Sequence, residues 1–92
     1  MKIRQEMRFY GTVQGVGFRY TAKCAAQSLG LTGWVYNDYD GSVLMQVQGE
    51  KETIDKLISI IENRRFVEIE QLERKNLPLE PSELDFSVHD SF

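Results

Sequence analysis

Residues 11–19 read GTVQGVGFR and combine two closely spaced glycines with an arginine. Gly15 and Gly17 can adopt the positive φ angles of a sharp turn, in which successive backbone N–H groups face one anion. If a helix begins near Phe18 or Arg19, its unpaired first-turn amides and the positive end of its dipole add to the same place. Arg19 would supply a planar set of donors to phosphate oxygens. The segment predicts a phosphate-binding loop, and the spacing leaves open a plain strand-to-helix turn with Arg19 at the surface.

Asn37 is a second candidate, because it ends a strand-like segment just before a turn. An asparagine at such a place most often satisfies the backbone of the turn, and the sequence alone favours that interpretation. The functional interpretation is that its amide orients a water molecule. An amide suits that role because it both donates and accepts hydrogen bonds, and because an uncharged group does not repel a phosphoryl group.

The remaining polar candidates favour structural roles. Cys24 is the only cysteine and His89 the only histidine, so neither an internal disulfide nor a Cys/His metal site is supported. Cys24 lies among alanines and is expected to fill the core, whereas His89 is expected at the surface. Asp38 and Asp40 flank a hairpin turn and are interpreted as turn formers rather than metal ligands. We therefore predict no metal site and no cofactor.

The hydrophobic pattern predicts the elements that would position these residues. Apolar residues two apart predict strands over 3–13, 31–37, 42–48 and 66–74 and a short closing strand through residues 84–88. Apolar stripes at helical spacing predict helices over 20–29 and 51–62. The order is βαββαβ with a short extra C-terminal strand. The fold class is therefore α+β, a ferredoxin-like sandwich in which an antiparallel sheet carries two helices on one face.

The strand pattern also separates core from surface. Trp34 and Phe86 are expected in the core, because their neighbours at alternate positions are largely typical of strands. Glu68, Glu70 and Glu73 are expected on a solvated strand face.

Length and composition indicate the number of domains and the class of protein. With 92 residues and 41% hydrophobic content, residues 1–92 are expected to form one domain. No apolar run approaches the roughly 18 residues of a membrane span, and the N-terminal segment MKIRQEMRF lacks the apolar core of a signal peptide. We expect a cytoplasmic protein without a membrane partner.

Charge is unevenly distributed along the chain. Residues 1–39 carry five basic and two acidic residues, whereas residues 40–92 carry six basic and twelve acidic residues. A small anion fits this distribution better than nucleic acid, which would also meet the acidic part of a small protein. The predicted loop lies in the basic part.

Two segments together resemble one family. GTVQGVGFR matches the G-x-V-Q-G-V-x-F-R loop of the acylphosphatases, and GWVYNDYDGSVLMQVQG, residues 33–49, is similar to their second signature. The resemblance covers nearly the whole chain, and two motifs in the right order are more specific than either alone. It implies a metal-independent hydrolase that cleaves a carboxyl–phosphate anhydride into a carboxylate and inorganic phosphate.

The resemblance also implies roles for single residues. The phosphoryl oxygens would be held by Arg19 and by the backbone amides of Gly15, Val16, Gly17, Phe18 and Arg19. Asn37 would position the attacking water. The implied partners are a small acyl phosphate and, as product or inhibitor, inorganic phosphate or a similar anion. We expect a monomer and no nucleic acid.

Two departures from the family pattern stand out. Tyr36 occupies a position that is usually basic, which predicts weaker binding of an anionic substrate rather than lost chemistry. Residues 63–67, NRRFV, lack the Gly-Pro turn common after the second helix, so the shape of this loop is left open.

Two other functions agree with parts of this sequence. A non-catalytic anion-binding module would keep the same fold and loop, but Asn37 beside Arg19 favours the enzyme, since an anion binder has no evident need for a water-orienting amide. An RNA-binding sheet ranks last, because the segment VLMQVQ offers no stacking aromatic.

Overall fold

The structure, a computed structural model, describes residues 1–90. Strand β1 spans Lys2–Thr12 and is followed by helix α1, Phe18–Ser28. A hairpin of β2, Thr32–Asn37, and β3, Val43–Glu50, leads directly into helix α2, Lys51–Glu62. Strand β4 spans Glu68–Leu77, and the short strand β5 spans Phe86–His89. Neither helix within residues 1–90 is long and apolar enough to cross a membrane.

The five strands form one sheet in the order β4-β1-β3-β2-β5. β1, β2, β3 and β4 pair antiparallel, as expected for the ferredoxin-like arrangement. The extra strand β5 adds to the edge in parallel with β2, with Gly33 opposite Phe86, so the complete sheet is mixed. A bulge between Tyr10 and Gly11 shifts the register of β1 against β4 close to the end of β1.

Both helices contribute to one core on one face of the sheet. Strand side chains alternate between faces, so Met7, Phe9, Val35 and Met45 point to the same side and are fully buried. Helix α1 covers that face with one phenylalanine and two alanines, and α2 covers it with four large aliphatic side chains: Phe18, Ala22, Ala26, Ile54, Leu57, Ile58 and Ile61. The small alanines of α1 leave room for close packing of the helix on the sheet.

Three side-chain predictions differ from the structure. Cys24 is exposed rather than in the core, because the buried stripe of α1 passes through Ala22 and Ala26 on another side of the helix. Trp34 is only half-buried, since it lies on the helix-free face of the sheet and stacks on His89 with ring centroids 5.5 Å apart. Leu84 is exposed and precedes β5, which begins at Phe86.

Other side-chain predictions are confirmed. Phe86 is buried, and the three glutamates of β4 singled out above are exposed.

Candidate active site

The loop between β1 and α1 has the backbone that the sequence predicted. Gly15 and Gly17 have φ angles of 75° and 81°, in the left-handed region that favours glycine. Gly17 is the N-cap of α1, and its carbonyl oxygen accepts the first helical hydrogen bond, from the Thr21 amide, at 3.0 Å. Within residues 1–90 the amides of residues 15–19 donate to no protein acceptor. The loop therefore presents free N–H donors beside a helix N-terminus, where an anion is favoured.

Phe18 fixes the position of this helix end. Its side chain is 1% exposed, and its ring meets that of Phe9 edge to face, with centroids 4.9 Å apart. Because burying a phenylalanine stabilises a fold by about 1.5–3 kcal/mol, this contact anchors the first turn of α1 to β1. Val16 also packs against the core. The side chains of the loop thus hold the backbone in place, while the amides stay available.

Arg19, the second residue of α1, is held by the chain around the end of β5. Its Nη1 donates to the carbonyl oxygen of His89 at 3.4 Å and to Oδ1 of Asp90 at 3.2 Å. Asp90 is highly exposed, so this ion pair contributes little to stability. Within residues 1–90, Nε and Nη2 have no hydrogen-bond acceptor. One nitrogen of the guanidinium is therefore held by hydrogen bonds, and the other two can donate to a ligand.

Asn37 is the last residue of β2, and the structure does not support its interpretation as a turn former. The turn is satisfied by other groups: the Asp38 amide donates to the carbonyl oxygen of Ser42, and the Tyr39 amide donates to Oδ1 of Asp38. Oδ1 of Asn37 is buried and has no hydrogen-bond partner within residues 1–90. A buried acceptor without a donor is costly in a protein unless a ligand or water supplies the donor. Within the described residues the side-chain oxygen of Asn37 is therefore an unsatisfied acceptor, although Asn37 itself lines a pocket.

Asp38 and Asp40 form the turn, as predicted. The amide and hydroxyl of Ser42 donate to Oδ1 of Asp40 at 2.9 and 2.6 Å, and these hydrogen bonds hold the pKa of Asp40 below its usual value. Arg8 donates to Oδ2 of Asp38 at 2.8 Å, and that hydrogen bond raises the pKa of the arginine. These contacts fix the end of β2 and with it Asn37.

Gln14 is a positioning residue that the sequence analysis did not single out. Its Nε2 donates to the carbonyl oxygens of Asp38 at 2.6 Å and Ser42 at 2.9 Å. These hydrogen bonds join the glycine loop to the hairpin that carries Asn37. The only sequence signal was its place inside the loop motif, directly before Gly15.

A pocket of about 200 Å³ brings the predicted residues together. Its lining combines the loop, the first turn of α1 and the end of β2: Val13, Gly15, Gly17, Phe18, Arg19, Tyr20 and Asn37. Tyr20 was not predicted, and its ring is highly exposed at the rim. Val16, which was predicted to bind phosphate, is absent from the lining. The pocket is thus lined by the loop, by Arg19 and by Asn37.

Tyr36 does not line this pocket. Strand alternation directs its side chain to the sheet face opposite that of Val35 and Asn37. A basic residue at position 36 would therefore act on a bound anion mainly at longer range.

A larger cavity, of about 280 Å³, lies elsewhere and is lined by Glu6, Arg8, Glu73, Arg74 and Lys75. Its three cations are already in ion pairs: Lys75 with Glu6 at 3.2 Å, Arg74 with Asp55 at 3.2 Å and Arg8 with Asp38 at 2.8 Å. Size alone therefore does not make it the better candidate. Across residues 1–90 no group of three or more His, Cys, Asp or Glu side chains is arranged to hold a metal ion.

The chain has close relatives among characterised sequences and solved structures. The family model of the acylphosphatases matches residues 5–88. An acylphosphatase of Caldanaerobacter subterraneus subsp. tengcongensis is 38% identical over 90 residues, which cover 97% of this chain and 100% of that protein.

Two solved acylphosphatase structures have the same fold. Acylphosphatase from Bacillus subtilis superposes with a TM-score of 0.86 at 26% identity, covering 95% of this chain and 98% of that one. An acylphosphatase from Coxiella burnetii also gives 0.86, at 28% identity, covering 96% of this chain and 93% of that one. Because the family match spans most of the chain and the Caldanaerobacter relative aligns over its full length, this chain belongs to the acylphosphatase family.

Proposed function

We propose that this protein hydrolyses the carboxyl–phosphate anhydride of a small acyl phosphate, giving a carboxylate and inorganic phosphate. The observation that carries the proposal is the pocket of about 200 Å³ that is lined by the glycine loop, Arg19 and Asn37, whose Oδ1 is buried without a hydrogen-bond partner within residues 1–90. Family membership supports the same reaction class.

The cradle would bind the phosphoryl group. The amides of residues 15–19 and the unused donors of Arg19 would hydrogen-bond its oxygens, and the N-terminus of α1 adds favourable charge. These donors are in place before substrate arrives, because Phe18 anchors the helix and Gln14 joins the loop to the hairpin. Pre-organised donors stabilise the charge that develops in the transition state.

Asn37, which lines the pocket, would position the attacking water through its amide group. The water oxygen forms a bond to phosphorus while the bond from phosphorus to the acyl oxygen breaks, and the electron pair leaves on the carboxylate. Because a carboxylate is a good leaving group and phosphoryl transfer depends mainly on positioning and charge stabilisation, no dedicated carboxylate base is required. The phosphate of the substrate would accept the proton of the water. An acyl phosphate alkylated on one phosphate oxygen should then react slowly; full activity on it would contradict this proton route.

The same site would work without a metal ion or cofactor and would bind its product. Arg19 and the helix dipole supply the positive charge, so no metal or cofactor is needed, and inorganic phosphate should inhibit as product. We also propose that residues 1–92 act as one domain in a cytoplasmic monomer.

The test is phosphate release from an aromatic acyl phosphate in the presence of a chelator. Wild type should turn over, whereas folded Arg19→Ala should lose both phosphate binding and turnover, by about 10²–10³-fold in kcat/KM. Lys23→Ala is the matched control, because it removes an exposed cation of α1 that does not line the pocket. Circular dichroism checks folding. A wild type that binds phosphate without hydrolysing acyl phosphate would instead support the non-catalytic anion-binding module.

A further inference from the structure

The turn after α2 is the segment that departs from the family pattern, and its backbone is well fixed. α2 ends at Glu62, and the Asn63 side chain donates to the carbonyl oxygen of Ser59 at 2.7 Å. The Arg64 amide donates to Ile61 at 3.0 Å, and the Arg64 carbonyl oxygen accepts from the Val67 amide at 3.1 Å. The main chain on both sides of Arg64 is therefore held by hydrogen bonds.

This turn carries the Arg64 guanidinium to the glycine loop. A Cβ built on Gly17 would lie 3.8 Å from Nη2 and 3.9 Å from Nε of Arg64. Gly17 both lines the pocket and caps α1, so the guanidinium lies directly beside the cradle. Arg64 is exposed, and its side chain makes no ion pair or hydrogen bond within residues 1–90. Within the described part of the chain it is thus an unpaired cation beside the proposed phosphate cradle.

The neighbouring Arg65 has a different environment. Its guanidinium lies over the ring of Phe66, 4.9 Å from the centroid. Phe66 has a φ of 76°, a left-handed conformation that is unusual for a residue with a side chain. Two adjacent arginines of equal charge thus have different contacts, one at Gly17 and the other on an exposed ring.

We propose that Arg64 is a second phosphate-binding cation of this site, lying across Gly17 from the cradle and acting with Arg19. The inference rests on the proposed function only in assuming that a phosphate group occupies the cradle. Such a group carries up to two negative charges, whereas Arg19 is partly neutralised by Asp90.

Arg64 would act on binding rather than on the chemical step. It lies beside the loop rather than among the residues that line the pocket, so it senses the charge of the phosphoryl group in substrate, transition state and product alike. Such uniform binding lowers KM and the dissociation constant of phosphate without raising kcat. Because the guanidinium is exposed, its effect should be modest and weakened by salt.

The test compares Arg64→Ala with Arg65→Ala, which removes the same charge one residue away. Inorganic phosphate binding is measured by isothermal titration at low and high salt, and KM and kcat are measured with the aromatic acyl phosphate. Arg64→Ala should weaken phosphate binding and raise KM by about 3- to 10-fold at low salt, with kcat within about twofold of wild type. The difference should shrink at high salt. Arg64→Lys should recover part of it, and Arg65→Ala should stay within about twofold of wild type.

Equal phosphate affinity in folded Arg64→Ala and Arg65→Ala would overturn the inference, as would an effect confined to kcat. The two proposals fail separately. If wild type does not hydrolyse acyl phosphate but Arg64→Ala still weakens phosphate binding selectively, only the hydrolytic function is wrong. If wild type turns over and the two variants behave alike, only the role of Arg64 is wrong.

Discussion

Replacing Asn37 by alanine should make the protein more stable and less active at the same time. Oδ1 of Asn37 is buried without a hydrogen-bond partner within residues 1–90, and an unsatisfied buried acceptor costs about 1–3 kcal/mol. Truncation removes that cost and forfeits about 1 kcal/mol of side-chain packing. The net change in the free energy of unfolding is therefore about 0 to +2 kcal/mol. For a domain of this size, about 1 kcal/mol shifts Tm by roughly 4–8 °C.

Turnover should change in the opposite direction. Losing the group that positions the nucleophile should lower kcat by about 10²–10³-fold, similar to the loss of other pre-organised polar groups. Phosphate affinity should stay near that of wild type, because the loop amides and Arg19 are untouched. Thermal unfolding by circular dichroism, phosphate release and phosphate titration measure the three quantities.

Asn63→Ala is the matched control, because Asn63 caps the end of α2 and donates to Ser59 at 2.7 Å. It should lower the free energy of unfolding by about 1 kcal/mol and leave kcat unchanged. If Asn37→Ala instead lowers Tm by several degrees and keeps its turnover, Asn37 serves the turn and has no part in the reaction.

Three further variants test the supports of the site and the fold. Gln14→Ala loses two hydrogen bonds and should lower the free energy of unfolding by about 1–3 kcal/mol. It should also lower kcat by about 10-fold while phosphate affinity is retained. An unchanged kcat would show that catalysis does not depend on the hydrogen bonds between the loop and the hairpin. Gly33→Ala would place a Cβ against the carbonyl oxygen of Gln46 and should lower the free energy of unfolding, measured with denaturant, by more than about 3 kcal/mol. Gly30→Ala is the control, because the space around Gly30 is open, and it should lower the free energy of unfolding by about 1 kcal/mol. Because the folded pKa of Asp40 is lowered, its stabilisation is present above about pH 3.9 and is lost as pH falls through the folded value. Tm of Asp40→Asn should therefore lie below that of wild type at pH 7, and the two values should converge as Asp40 becomes protonated in strong acid. Parallel curves of Tm against pH would contradict this role.

The elements with strong patterns were predictable. The limits of α2 match the prediction, because four large aliphatic residues at helical spacing define one face. The start of α1 was less clear in the helix prediction, since its first turn is set by Gly17 and by the burial of Phe18 in the core. Cys24 was misplaced because a run of small residues does not define which side of a helix is buried. The prediction that Trp34 lies in the core is wrong because strand alternation shows which residues share a sheet face but not which face the helices cover.

Some residues of the candidate site could be predicted from the sequence, and others could not. The loop glycines and Arg19 are adjacent in sequence, so their chemistry could be read from local spacing. Gln14 and Arg64 acquire their contacts only when other elements fold against the loop, and no local pattern specifies those contacts. Asn37 needed the structure for another reason: its residue type fits a turn, and only the hydrogen bonds of Asp38 show that the turn does not use it.

The contacts that assemble the pocket join distant parts of the chain. Gln14 bonds to a residue 24 positions away, and Arg19 bonds to one 70 positions away. The inner strand β1 likewise pairs, within residues 1–90, with β3 and β4, each far along the sequence. Such contacts raise the contact order, which slows folding, and they form only after the intervening segments have been brought together. Partly folded chains with isolated helices or the local hairpin should therefore lack a working pocket, and the regain of turnover during refolding measures the native population directly.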